Sequence, residues 1–427
     1  MHSIGNFWKI IVIFIALIGI FLFAILSYFK ENTILSLPFI FHSFWFMIVF
    51  LSMFHFFGLF EISNKTYSIV LLGNLFFYFG TLTSNIKLFC RNKLHIQTLN
   101  FKYRKNLMYI LLFFAILIML KKIMLLLPII LTSGITSART EMILNESLNL
   151  SGFLLTLQVY FAKPFIRCVS IILMVDLFQN KINIKNIIKV LLITMLSFLS
   201  DGGRSVMIQL FISLCILLFY YRKKISKKNK KKIMYSILII GILTSLLTIE
   251  RGVNLLENFY TYYAGSLVFF SKSLDMNYLF NSTFLYGVNG FQGIFRPIFG
   301  ILNIFGIQDF SLLSKANSFL MDCQNTVFYV SPNIKMNYFV TCFGYMYKDC
   351  GIFGLIVESF VFGAIMSRFR MKKGDIYQVS CFILFAQGIL FSMSITPFAS
   401  YNFIMTFVYI YVITNNFKKK LRIKVYK

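Results

Sequence analysis

The sequence predicts an all-α, polytopic integral membrane protein, and three observations carry that prediction. The chain is 58% hydrophobic, it holds 42 Lys and Arg against 14 Asp and Glu, and its bases are gathered between long apolar runs. A soluble chain of net charge +28 would point to nucleic acid. Here the bases flank hydrophobic stretches of about 18 to 25 residues, the length a helix needs to cross a bilayer, so the charge reports topology and no nucleic-acid partner is expected.

Taken in order, the apolar runs are Phe7–Phe29, Leu35–Phe60, Tyr67–Phe89, Leu107–Leu131, Phe153–Phe178, Ile187–Ser200, Ser205–Tyr221, Ile233–Ile249, Tyr345–Ser367, Ile376–Ile395 and Ala399–Phe417. They predict roughly eleven transmembrane helices. The first run is too long for a signal peptide and no small-residue cleavage site comes after it, so it reads as a retained anchor. The basic segments Lys87–Lys105, Lys181–Lys189, Arg222–Lys232, Arg368–Lys373 and Lys418–Lys427 read as cytoplasmic. Between Glu250 and Lys335 acids and bases balance, so this stretch is expected outside. Parity then puts Thr132–Gly152, the Asp201–Arg204 turn and the Ser394–Ser400 turn outside as well.

The chain thus falls into three regions: residues 1–249 with eight spans and basic loops, 250–337 as one large external loop, and 338–427 with three spans and a basic tail. A connection of roughly 85 residues is usually functional, and its pattern is aromatic and partly helical over Glu257–Phe270 and Leu302–Phe319. No internal repeat is visible, which argues against transporters built from duplicated bundles. The seven cysteines show no CxxC and no zinc spacing, so neither a metal nor a disulfide framework is inferred, and no cofactor is expected. None of the four histidines lies in the external segment, which makes histidine base chemistry there an unfavoured reading.

Ionisable residues inside apolar runs each need a cavity, a partner or an escape to the interface. Lys163 and Arg167 stand four apart, on one helix face, beside Pro164. They read either as a cationic wall for an anionic substrate or as structural partners of Asp176, Asp201 or Asp349. Lys121 and Lys122 sit toward the outer end of their run, where snorkelling to headgroups suffices. Asp201-Gly202-Gly203-Arg204-Ser205 turns between two spans. Its glycines expose N–H groups at a helix start, so Arg204 is a candidate phosphate ligand; a plain hairpin with an Asp201–Arg204 pair is the competing reading. Arg139, Arg251 and Arg296 add three outer or interfacial arginines, and several planar forks meeting in one cavity would suit a diphosphate.

Asn337-Tyr338-Phe339-Val340-Thr341-Cys342-Phe343-Gly344, followed by Tyr347-Lys348-Asp349-Cys350-Gly351-Ile352-Phe353-Gly354, resembles a motif segment of the Wzy-type oligosaccharide repeat-unit polymerases. The Asp201–Ser205 turn resembles that family's Gly-Arg turn between central spans, and Tyr263-Ala264-Gly265-Ser266 ahead of Leu285-Tyr286-Gly287 is similar in character to its external loop. Cys350 stands where that family usually has phenylalanine. The layout extends from about Asn74 to Phe369, whereas the motif itself covers some 25 residues.

The resemblance implies a GT-C-like glycosyltransferase of the bacterial inner membrane that joins undecaprenyl-diphosphate-linked repeat units into O-antigen or capsule; the want of ligand-like spacing among external carboxylates and histidines makes metal-independent catalysis the expectation. A flippase and a chain-length regulator are the protein partners it implies. As the diphosphate leaves, negative charge gathers on it, and fixed cations lower that barrier: Arg204, Arg139, Arg251 and Arg296 are the candidates, with Lys163 and Arg167 behind them. Asp349, between glycines at an expected helix start, is the first candidate base for the acceptor hydroxyl and Asp201 the second; helix N-capping is the other reading of Asp349. Tyr260, Tyr262, Tyr263, Phe291, Phe328 and Tyr329 would stack on sugars or sit in the headgroup belt. The competing functions are a flippase for the same lipid-linked unit, which the intramembrane cations also fit, and an O-antigen ligase.

Overall fold

The computed structural model describes residues 2–83, 103–144, 148–179, 184–201, 205–227, 254–276, 283–306, 310–371 and 375–414, with short stretches at 203, 229–231, 233–236, 238, 241–242 and 279–280. Its regular structure is almost entirely helical, as expected: α1 His2–Glu31, α2 Leu37–Ser52, α3 Asn64–Leu82, α4 Lys105–Leu144, α5 Gly152–Leu157, α6 Lys163–Gln179, α7 Ile184–Asp201, α8 Ser205–Tyr221, α9 Leu255–Asp275, α10 Gln292–Ile304, α11 Ser311–Asn325, α12 Thr341–Met366, α13 Ile376–Leu390 and α14 Tyr401–Thr414. Among the described residues three helices, Ile10–Glu31, Lys105–Gly134 and Thr341–Met366, are long and apolar enough to cross a membrane. Four shorter apolar helices accompany them: Leu37–Ser52, Ser205–Tyr221, Ile376–Leu390 and Tyr401–Thr414. The run Ile233–Ile249 lies largely outside the described residues.

The chain divides into two compact units. The first comprises Met1–Asn92, Asn254–Arg370 and Gly388–Tyr401. Its centre is aromatic: Phe41 stacks on Phe77 with centroids 3.9 Å apart, and Trp45 meets Phe343 at 4.6 Å. α3 and α12 approach closely because each offers a glycine to the other. A Cβ at Gly80 would collide with the Phe360 carbonyl oxygen, and one at Gly363 with the Phe77 carbonyl oxygen.

Within this unit the apolar run Leu35–Phe60 is shorter as a helix than its composition predicts. α2 starts where Ser36 caps the Phe39 N–H and stops at Ser52. His55 (φ 47°) and Phe57 (φ 57°) then take the left-handed conformation. Tertiary partners explain the stop: the Tyr260 hydroxyl donates to the Leu51 carbonyl at 3.0 Å, and the Phe60 N–H donates to the Val330 carbonyl at 2.9 Å. The stretch 250–337, where it is described, is likewise more structured than its helical pattern suggested. Glu257–Phe270 lies inside α9, but Leu302–Phe319 is split between α10 and α11, and a hairpin of β1 Val327–Ser331 and β2 Ile334–Asn337 comes next.

The second unit comprises Lys93–Val253, Met371–Gln387 and Asn402–Lys427. A single π-helical turn, Gln158–Ala162, joins α5 to α6. Pro164, with no N–H to give back four residues, leaves the Tyr160 carbonyl for the Tyr409 hydroxyl at 3.0 Å. α4 is interrupted at Gly134 (φ 84°, ψ 171°) and carries Pro128.

Candidate functional site

In the first unit the motif segment forms α12, and α12 breaks in its middle. Cys350 (φ −149°, ψ 34°) and Gly351 (φ 61°, ψ −137°) leave helical space. Gly351 is the residue that tolerates this positive φ without strain. Asp349 is therefore the last residue before the break rather than the start of a helix, and it does not N-cap the second half of α12. Its carbonyl accepts the N–H groups of Leu285 and Tyr286, both at 3.0 Å. Its carboxylate accepts the Asn289 N–H on Oδ1 at 3.0 Å and the Gly290 N–H on Oδ2 at 2.6 Å. The residue is 0% exposed. One residue of α12 thus receives four backbone donors from the turn 285–290.

That turn delivers the chain directly into α10. Gln292 and Arg296, one helical turn apart, converge on a single acceptor: Asn317 Oδ1, on α11, accepts Gln292 Nε2 at 2.7 Å and Arg296 Nε at 2.6 Å. The guanidinium lies 5.9 Å from the Tyr401 ring centroid. Among the described residues no hydrogen bond engages its two terminal nitrogens, which form the edge that meets phosphate oxygens in pairs. Gln292 Oε1 and Asn289 Oδ1 are also buried without a hydrogen-bond partner among the described residues. Tyr338 lies beside Tyr345 and Arg296, and burial pushes its phenol pKa up, so it is a neutral group at physiological pH. Tyr338 (φ 71°) and the β-branched Thr341 (φ 68°) both hold positive φ at the entry to α12. Such strain persists only where the surrounding packing imposes it.

The second unit holds the other described candidates, and each has a partner. Lys163 pairs with Asp201 at 2.7 Å. Arg167 donates to Gln387 Oε1 from Nε at 3.2 Å and from Nη2 at 2.8 Å. Gln387 in turn donates to the Ser213 hydroxyl at 2.7 Å and the Gln209 carbonyl at 3.1 Å. Asp176 accepts from the Tyr103 hydroxyl at 3.2 Å. Lys122, expected to snorkel, is 1% exposed and donates to the Leu148 carbonyl and Asn149 Oδ1, both at 2.7 Å. For Lys163 the pairing reading of the sequence is the one the geometry supplies.

Arg204 and Arg251 lie outside the described residues, and Arg139 falls in α4 with its side chain outside the described set. Among the candidate aromatics, Tyr260 is tied to Leu51, and Phe291 stacks on Phe398 at 5.6 Å. Sequence reasoning missed Gln292, Asn317 and Glu358. The spacing of Gln292 and Arg296 was a usable signal; the role of Asn317 was not, because it is set by the packing of α10 on α11. Among the described residues no group of three or more His, Cys, Asp or Glu is placed to hold a metal ion. Cys323, Cys342 and Cys350 are free thiols. No family model matches the chain, and neither curated proteins nor solved structures show a significant similarity to it.

Proposed function

We propose that this protein polymerises undecaprenyl-diphosphate-linked oligosaccharide repeat units on the outer face of the bacterial cytoplasmic membrane, as a GT-C-type multi-pass enzyme of about eleven spans. The growing chain passes from its diphosphate carrier to the non-reducing end of an incoming unit. The anomeric C–O bond to the diphosphate breaks, a bond to the acceptor oxygen forms, and the acceptor proton is lost.

The observation that carries the reading is Arg296. Asn317 fixes its Nε, Gln292 fixes Asn317, and among the described residues no hydrogen bond takes up the bidentate edge that an anion would use. A cation held in advance, in a setting of low dielectric, stabilises a leaving diphosphate more than a mobile one does. The motif resemblance of Asn337–Gly354 supplies the reaction class, and the same segment anchors the turn that leads to Arg296. Lys163 and Arg167, which suited a flippase equally well from the sequence, are engaged by Asp201 and Gln387. That engagement leaves the two cations out of the choice between the readings.

The test uses lipid-linked repeat units that accumulate in a host strain lacking the gene. Purified protein in liposomes is expected to convert them to a ladder of products. Translocation of the units with no ladder would establish the flippase instead, and transfer of a finished chain to an outer-core acceptor would establish the ligase.

A further inference from the structure

We propose that Glu358 is a positioning residue: its carboxyl hydrogen-bonds to Asp349, and this pair clamps the 285–290 turn so that α10 presents Arg296. The inference rests on the diphosphate reading of Arg296 and names a residue which that reading does not use. Glu358 lies in the second half of α12, is 5% exposed, and its carboxyl lies against Gly290, the residue whose N–H Asp349 accepts. Gly290 is pressed onto the pair, since a Cβ there would collide with Glu358 Oε2 and come within 3.1 Å of Asp349 Oδ2.

Hydrogen-bond arithmetic assigns the roles. Two carboxyls in one hydrogen bond need a proton between them, and an ionised carboxylate is an acceptor only. Asp349 accepts the Asn289 and Gly290 N–H groups on its two oxygens, so it is the acceptor and Glu358 is the donor. With both oxygens spoken for, Asp349 is built to hold a turn, not to collect a proton from a substrate hydroxyl. The break at Cys350–Gly351 gives the clamp its geometry, because it leaves the Asp349 carbonyl for Leu285 and Tyr286 while the second half of α12 brings Glu358 back beneath the same turn.

Chemistry then separates the variants. Glu358→Gln keeps a donor, an amide N–H, and should polymerise within about twofold of the parent. Glu358→Leu fills the space with no donor and should lose at least tenfold in kcat/KM, mainly through KM as Arg296 moves. Asp349→Asn turns an N–H group toward the turn's own N–H groups and should lose as much. Hydrogen exchange read by mass spectrometry supplies an arm that needs no activity: the peptide spanning 285–291 should stay protected in the parent and in Glu358→Gln, and exchange at least tenfold faster in Asp349→Asn and Glu358→Leu. Glu358→Gln as inactive as Glu358→Leu, with exchange unchanged, would make Glu358 a chemical participant and overturn the proposal. Unchanged protection in Asp349→Asn would overturn it as well. A parent with no ladder refutes the polymerase reading alone, because the exchange arm still decides whether the clamp exists.

Discussion

At the residue scale the proposed function turns on a planar cation held by a short hydrogen-bonded relay. Asn317 accepts from Gln292 and Arg296 through one oxygen. A hydrogen bond to a charged group contributes about 1.5 to 3 kcal/mol, so Asn317→Ala is expected to lower kcat/KM for the lipid-linked unit by about 10- to 100-fold at unchanged abundance. Arg296→Lys keeps the charge, loses the fork and is expected to fall further, with Arg296→Ala near background. From the sequence Arg204 leads the candidates, and Arg204→Lys offers the comparison: severe impairment there beside a fully active Arg296→Lys would move the diphosphate contact to Arg204. Full activity in Arg296→Lys would remove the observation on which the proposed function stands. Steady-state ladder formation at matched protein levels measures all of these.

At the element scale, the crossing of α3 and α12 sets where the motif helix lies. Gly80 and Gly363 each face the partner's backbone. Forcing side chains into a filled contact costs roughly 1 to 3 kcal/mol, and more where the obstruction is backbone that cannot swing aside. Gly363→Val and Gly80→Val are therefore expected to reduce folded protein strongly, read as monodisperse yield after detergent extraction, whereas Gly300→Ala, with nothing within 4 Å of its Cβ position, should leave yield unchanged. Equal yields for all three would mean that this crossing does not hold the unit together. The break in α12 belongs to the same scale: a helix with a helical composition throughout is interrupted because Gly351 tolerates positive φ and the turn 285–290 takes up the freed acceptor.

At the scale of the whole molecule, charge still makes the sharpest prediction. Reporter fusions after Lys232 and after Lys373 should report cytoplasm, and one at Gln308 should report the outside, because bases cluster at the first two places and balance acids around the third. A cytoplasmic signal at Gln308 would put Arg296 on the wrong side for a periplasmic reaction and sink the proposed function with it.

The sequence by itself determined the all-α class and the apolar helices. These come from composition and period, which are local properties: a single apolar run satisfies its backbone in hydrocarbon from within only by coiling into a helix. It also marked Arg296 and Asp349 as chemistry-bearing, since charge and motif are visible in one dimension. Tertiary structure decided what those residues do. Asp349 became the acceptor for a turn some 60 positions earlier, Lys163 found Asp201, and the apolar run after Ser52 left helix because Tyr260 and Val330 took its backbone groups. The hairpin Val327–Asn337 went unread for the same reason, as did Asn317 and Glu358. Each of these depends on which partner is brought within hydrogen-bonding distance, and partnership across long sequence separation leaves no periodic trace in the chain.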